Sequence, residues 1–78
     1  MDGSDLNRMA NQIADFFAAS GDGEAAKGVA AHIRSFWEPR MRQGLYRLVD
    51  AGGEGLDPLV IEAAAALRKA DKAAAGAA

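Results

Sequence analysis

The residues best able to do chemistry in this chain stand together. The stretch HIRSFWEPRMR, positions 32–42, holds three arginines, the only histidine, the only tryptophan and one of the two prolines. Arginine keeps its charge in proteins and presents a rigid fork of N–H donors, so a cluster of it suits a carboxylate, a phosphate or a set of carbonyls. Arg34, Arg40 and Arg42 bracket Phe36 and Trp37, and Arg47 follows them. Arginine beside tryptophan is the composition enriched at interface hot spots.

The same inventory argues against catalysis by the chain itself. His32 has no cysteine, no second histidine and no GxSxG or phosphate-loop motif to work with, so no nucleophile and base stand in a recognisable arrangement. Asp2, Asp5, Asp15, Asp22 and Glu24 lack metal-loop spacing and read as a solvated face. The GGEG at 52–55 has neither the preceding strand nor the following Lys-Ser or Lys-Thr of a phosphate loop, and reads as a turn. A chain without cysteine forms no disulfide, no thiolate zinc site and no iron–sulfur ligation of its own. The expectation is a protein that is not an enzyme and holds no metal or cofactor.

Four helical segments must position these residues. Leu6, Met9, Ala10, Ile13, Phe16 and Phe17 recur on one face of a first helix, with Ser4 or Asp5 as its cap and SGDG (20–23) as its stop. Ala26, Val29, Ala30, Ile33, Phe36 and Trp37 form the apolar stripe of a second, with His32 and Arg34 on its flanks. Gly28 lowers helix propensity there by about 1 kcal/mol relative to alanine, a tolerated cost or the sign of a close backbone approach. Pro39 ends the second helix and suits the start of a third, in which Met41, Leu45, Leu48 and Val49 face inward while Arg40, Gln43 and Arg47 line another side. After AGGEG, Asp57 as cap and Pro58 as first residue open a fourth. Past Asp71 the alanine-rich end offers nothing large to bury. The fold expected is all-α, a small bundle or orthogonal array of four short helices, with residues 1–71 as one domain and 72–78 as a disordered tail.

Length and composition make the core thin. Half of the 78 residues are hydrophobic, but 19 are alanine, which buries little area compared with Leu, Phe or Trp. Domains below about 70–80 residues often need a disulfide, a metal or a partner, and a partner is the support this composition leaves open. Met9 and Met41 read as core fillers, and the amides of Asn7, Asn11 and Gln12 suit a partner's backbone as well as water. No run of about 18 apolar residues is present, and the acidic MDGSDLNR start is unlike a signal peptide, so a cytoplasmic protein is expected.

The net charge of −2 conceals a segregation: residues 32–49 carry four arginines against one glutamate, while the stretches on either side are net acidic. That pattern fits a protein interface or an internal contact better than a nucleic-acid footprint, which is usually basic over the whole domain. A small Arg-rich nucleic-acid-binding module and a helical domain that self-associates through Phe16, Phe17 and Trp37 are the alternatives. The conservative reading of Trp37 is simply the largest core residue, and of the arginines, solvated groups or partners of the acidic first helix.

Three segments, RMANQIADFF (8–17), HIRSFWEPRMR (32–42) and GLDPLVIEAAAAL (55–67), in this order and spacing resemble the delta subunit of soluble, NAD-dependent, molybdenum-containing formate dehydrogenases. The family motif falls on His32, Phe36, Trp37, Pro39, Arg40, Met41 and Arg42; Glu38 stands where the family has Asp, and Ser35 where a longer polar residue is common. The resemblance implies an accessory, noncatalytic subunit that binds the large alpha subunit and supports assembly, cofactor loading or stability. It implies further that the alpha subunit holds a bis-pterin molybdenum centre and iron–sulfur clusters, and that beta and gamma subunits pass electrons through FMN to NAD⁺. The residues expected to meet the partner are His32, Arg34, Phe36, Trp37, Arg40, Met41, Arg42 and Arg47.

Overall fold

The computed structural model describes residues 3–19 and 23–76. The chain forms four helices, α1 (Gly3–Ala18), α2 (Ala25–Phe36), α3 (Pro39–Asp50) and α4 (Pro58–Gly76), and no strand among the described residues. This is the small all-α bundle expected from the periodicity. Its α2 packs chiefly on α4 and on α1, while α3 lies against both α1 and α4.

Local chemistry sets most of the boundaries. Trp37 leaves helical geometry with ψ 133° and Glu38 with ψ 159°, the extended conformation forced on a residue that precedes proline, and Pro39 then opens α3. Glu38 occupies the N-cap position without a side-chain cap bond; its longer stem serves this role less well than Asp. Asp57 does cap α4, its Oδ1 accepting from the Leu59 N–H at 2.9 Å. Ser4 and Asp5 lie inside the first turn of α1 instead of before it, where the negative charge of Asp5 suits the helix dipole. Of the SGDG stop, positions 20–22 lie outside the described residues, and Gly23 has φ +76°.

The turn after α3 uses left-handed backbone. Gly53 has φ +68°, and its N–H donates to the Leu48 carbonyl at 2.9 Å while the Gly52 N–H bonds to that of Val49, which satisfies the end of α3. A side chain at Gly53 would be strained and would press on Ile61 Cδ1 at 2.9 Å. Two amides of α1 hold this turn against the bundle. Asn11 donates to the Gly55 carbonyl at 2.8 Å and accepts from the Asp57 N–H at 2.9 Å, and Asn7 donates to the Glu54 carbonyl at 3.3 Å. Asn7 and Asn11 therefore bind backbone, but the chain's own.

Val29, Ile33, Leu45 and Val60 are the largest wholly buried side chains, and Leu6, Trp37, Tyr46, Leu56 and Leu67 complete the core with four alanines. Those alanines, Ala10, Ala14, Ala63 and Ala64, let helices approach closely because nothing projects beyond Cβ. Gly28 permits the closest such approach: a Cβ there would collide with the Phe17 ring, which lies over the α2 backbone. Helix α4 runs past Asp71 to Gly76. Alanine has the highest helix propensity, which carries the backbone onward without core contacts. Ala77 and Ala78 lie outside the described residues.

Candidate partner-binding site

An apolar groove of about 530 Å³ opens where α1, α2 and the start of α3 meet. Met9, Ile13, Phe17, Trp37 and Met41 line its depth, and Gln12 and Phe16 from α1 face His32 and Phe36 from α2. Phe16 and Phe36 are 74% and 75% exposed. Each extends an apolar stripe beyond the arc that the core covers, so the stripes of α1 and α2 are divided between core and groove. His32 lies between two phenyl rings, 4.6 Å from that of Phe36 and 6.2 Å from that of Phe17. Phe16 and Phe17 meet edge to face at 5.2 Å. These ring contacts form the aromatic wall, though with Phe16 and Phe36 so exposed they add little to folding stability.

Trp37 is only 5% exposed and belongs to the core cluster as well as to the floor of the groove. Met9 and Met41 are partly buried beside it, gap-fillers on one side and groove lining on the other.

The arginines divide. Arg42 turns inward: its Nε donates to Asp71 Oδ2 at 2.9 Å, its Nη2 to Asp71 Oδ1 at 3.3 Å and its Nη1 to the Trp37 carbonyl at 2.9 Å. Tyr46 donates its hydroxyl to the same Asp71 Oδ2 at 2.6 Å. With the Arg42 and Asp71 side chains only 14% and 21% exposed, this latch joins the α2–α3 corner to α4 away from most of the solvent. Burial by itself would raise the Asp71 pKa, but the hydrogen bonds from Arg42 and Tyr46 outweigh it and hold the carboxyl below its usual range. Burial, then the bond to Asp71, pushes the Tyr46 phenol well up. The hydrogen bond to Asp71 raises Arg42, so the pair is fully ionised at neutral pH.

The other arginines stay outside. Arg34, Arg40 and Arg47 are exposed. Arg34 borders a second hollow, between α2 and α4, lined mainly by alanines, and adds to the field at Asp71. Arg40 is exposed and is the chain neighbour of Met41, which lines the groove. The structure thus gathers His32, Phe36, Trp37 and Met41 into one site, with Arg40 next to Met41 in the chain. It separates Arg34 and Arg47 from that site and commits Arg42 to an internal role. Among the described residues no cluster of His, Asp and Glu could hold a metal ion, and no helix is long and apolar enough to cross a membrane.

The family model for the NADH-dependant formate dehydrogenase delta subunit FdsD matches residues 5–64. The chain belongs to this family. The three-segment resemblance is borne out, and the match spans the groove, the corner and the first turns of α4. No curated protein and no solved structure matches the chain.

Sequence reasoning did not find the Asp71 and Tyr46 side of the delta subunit's latch. Tyr46 follows core residue Leu45 and sits one helical turn after Arg42, which is a weak signal of a shared inner flank; Asp71 lies 29 residues from Arg42 and left none.

Proposed function

We propose that this delta subunit is a noncatalytic accessory chain that docks on the large, molybdenum-containing subunit of a cytoplasmic, NAD-dependent formate dehydrogenase. There it supports assembly, cofactor insertion or stability. The bis-pterin molybdenum centre and iron–sulfur clusters would sit in the large subunit, and FMN and the NAD site in the beta and gamma subunits. The observation that carries the reading is the open aromatic groove: a member of a subunit family leaves Phe16 and Phe36 three-quarters exposed beside a deep apolar floor. Exposed apolar patches flanked by polar groups are what protein interfaces use. His32, Phe36, Met41 and Arg40 form the contact directly in this reading. Trp37 and Arg42 act from behind it, one as floor and one as brace, and Arg34 and Arg47 contribute positive field.

The test is to purify the formate dehydrogenase complex with and without the delta chain and to measure molybdenum content, subunit composition and formate-dependent NAD⁺ reduction. Loss of metal together with activity would assign the chain to cofactor insertion or retention. Normal metal with a dissociating complex would assign it to structural support. An intact, fully active complex without the chain would overturn the proposal.

A further inference from the structure

We propose that the groove between α1 and α2 receives an amphipathic helix of the partner subunit, its apolar ridge seated between Phe16 and Phe36 and a carboxylate on its flank meeting Arg40. This rests on the docking reading above and names the chemistry of the partner.

The argument for a helix begins with backbone hydrogen bonding. The groove walls come from the interiors and inner ends of α1 and α2, where N–H and C=O groups are largely spent within each helix. Apart from the last-turn carbonyls and the side chains of Gln12 and His32, those walls offer an incoming strand little to pair with. An extended segment laid there would bury its own N–H and C=O groups unpaired, each at a desolvation cost. A helix satisfies its backbone internally and offers only side chains, which is the helix-in-groove mode of recognition. From Met9 to Phe17 the α1 wall runs about 12 Å, enough for two turns of such a helix. The two methionines can adjust to an irregular ridge.

Charge selects what flanks that ridge. Glu38 is the one acid within residues 32–49. Arg42 is neutralised by Asp71, which leaves the exposed Arg34, Arg40 and Arg47 to give this corner its field. A partner helix with Asp or Glu beside its apolar ridge is steered to it. The same charge disfavours a second copy of the delta chain: a two-fold contact sets one patch against its duplicate, which would bring one cationic corner against another.

The experiment uses the co-expressed complex. The double variant Phe16→Ser/Phe36→Ser should reduce the delta chain recovered with the large subunit at least about tenfold, as expected for the loss of two aromatic anchors. The isolated variant should keep the wild-type helical circular dichroism and melting temperature, which separates lost docking from lost folding. Arg40→Glu should weaken recovery, and Arg40→Lys should largely restore it. The photo-crosslinker p-benzoylphenylalanine at position 36 should mark a peptide of the large subunit that is helical and carries a carboxylate next to its apolar residues. Wild-type recovery of the double variant would overturn the groove. If Arg34→Glu or Arg47→Glu then abolished recovery, docking would stand on another face. Crosslinking to a second delta chain, or to a non-helical segment, would overturn the choice of occupant. Failure of the wild-type chain itself to co-purify would overturn the docking reading and this inference together.

Discussion

The α2–α3 corner presents two faces made from the same kinds of residue. Phe36 and Trp37 are adjacent and both aromatic, yet Phe36 projects into solvent and Trp37 is buried. Arg40 and Arg42 are two residues apart and equally charged, yet Arg40 is exposed and Arg42 is gripped by Asp71 and the Trp37 carbonyl. The inner face, with Trp37, Arg42, Tyr46 and Asp71, is satisfied within the chain. The outer face, with Phe16, His32, Phe36 and Arg40, is left open. A rotation of about 100° per helical residue is enough to send chemically similar neighbours to opposite jobs.

The sharpest break of this comparison is in the aromatic pair. Trp37→Ala should destabilise the isolated chain by about 3 kcal/mol or more, a large share of the stability of a domain this small. Phe36→Ala should change it by no more than about 0.5 kcal/mol. Guanidinium denaturation of both variants measures the difference, and equal losses would erase the distinction between the faces.

The latch comes next. Asp71→Asn removes one charge of a pair that lies between exposed, worth about 0–1 kcal/mol, and fully buried, where breaking costs about 3–5 kcal/mol. About 2 kcal/mol is expected. The same carboxylate sets an acid response. Its folded pKa is depressed, whereas the unfolded value is about 3.9. The stabilisation is therefore complete above the unfolded pKa and is lost as pH falls through the folded one. Thermal melts between pH 6 and 2 should show wild type losing stability below about pH 4, and Asp71→Asn should flatten that loss.

Smaller effects test the hydrogen bonds around it. Tyr46→Phe keeps the ring and removes one donor to Asp71, for a loss of about 1 kcal/mol by chemical denaturation. Arg68→Gln should cost less than Tyr46→Phe. Arg68 forms a two-pronged contact with Asp50 at 2.6 Å, shorter than the Arg42–Asp71 bonds of the latch, but both side chains are about half exposed. Its contribution to stability should be small, and 0.5 M salt should remove most of it. A larger loss there than at Asp71 would show that bond geometry outweighs burial in this protein.

Several features were legible because their causes lie within a few residues. The proline-directed break at Glu38 and Pro39, the Asp57 cap and the apolar periodicity of α1 to α3 are of this kind. The family was legible because three motifs kept their order and spacing. The extent of the apolar stripes was less so: periodicity marks Phe16 and Phe36 as apolar positions but does not say how wide an arc the neighbouring helices will cover. The amides of Asn7 and Asn11 had no readable target, since the Glu54 and Gly55 carbonyls they hold are more than 40 residues away. The arginine cluster looked uniform because sequence displays charge without its counterion.

By itself the sequence determined four helices, their main boundaries and a place in the delta-subunit family. Caps, proline geometry and the 3.6-residue period act over one turn, and motifs survive without reference to packing. Only the tertiary structure decided that Trp37 closes the core while Phe36 stays open, and that Arg42 belongs to Asp71 while Arg40 remains exposed. Those outcomes depend on how α1 and α4 settle against the corner, a rotation and distance set by side-chain packing between segments far apart in the chain.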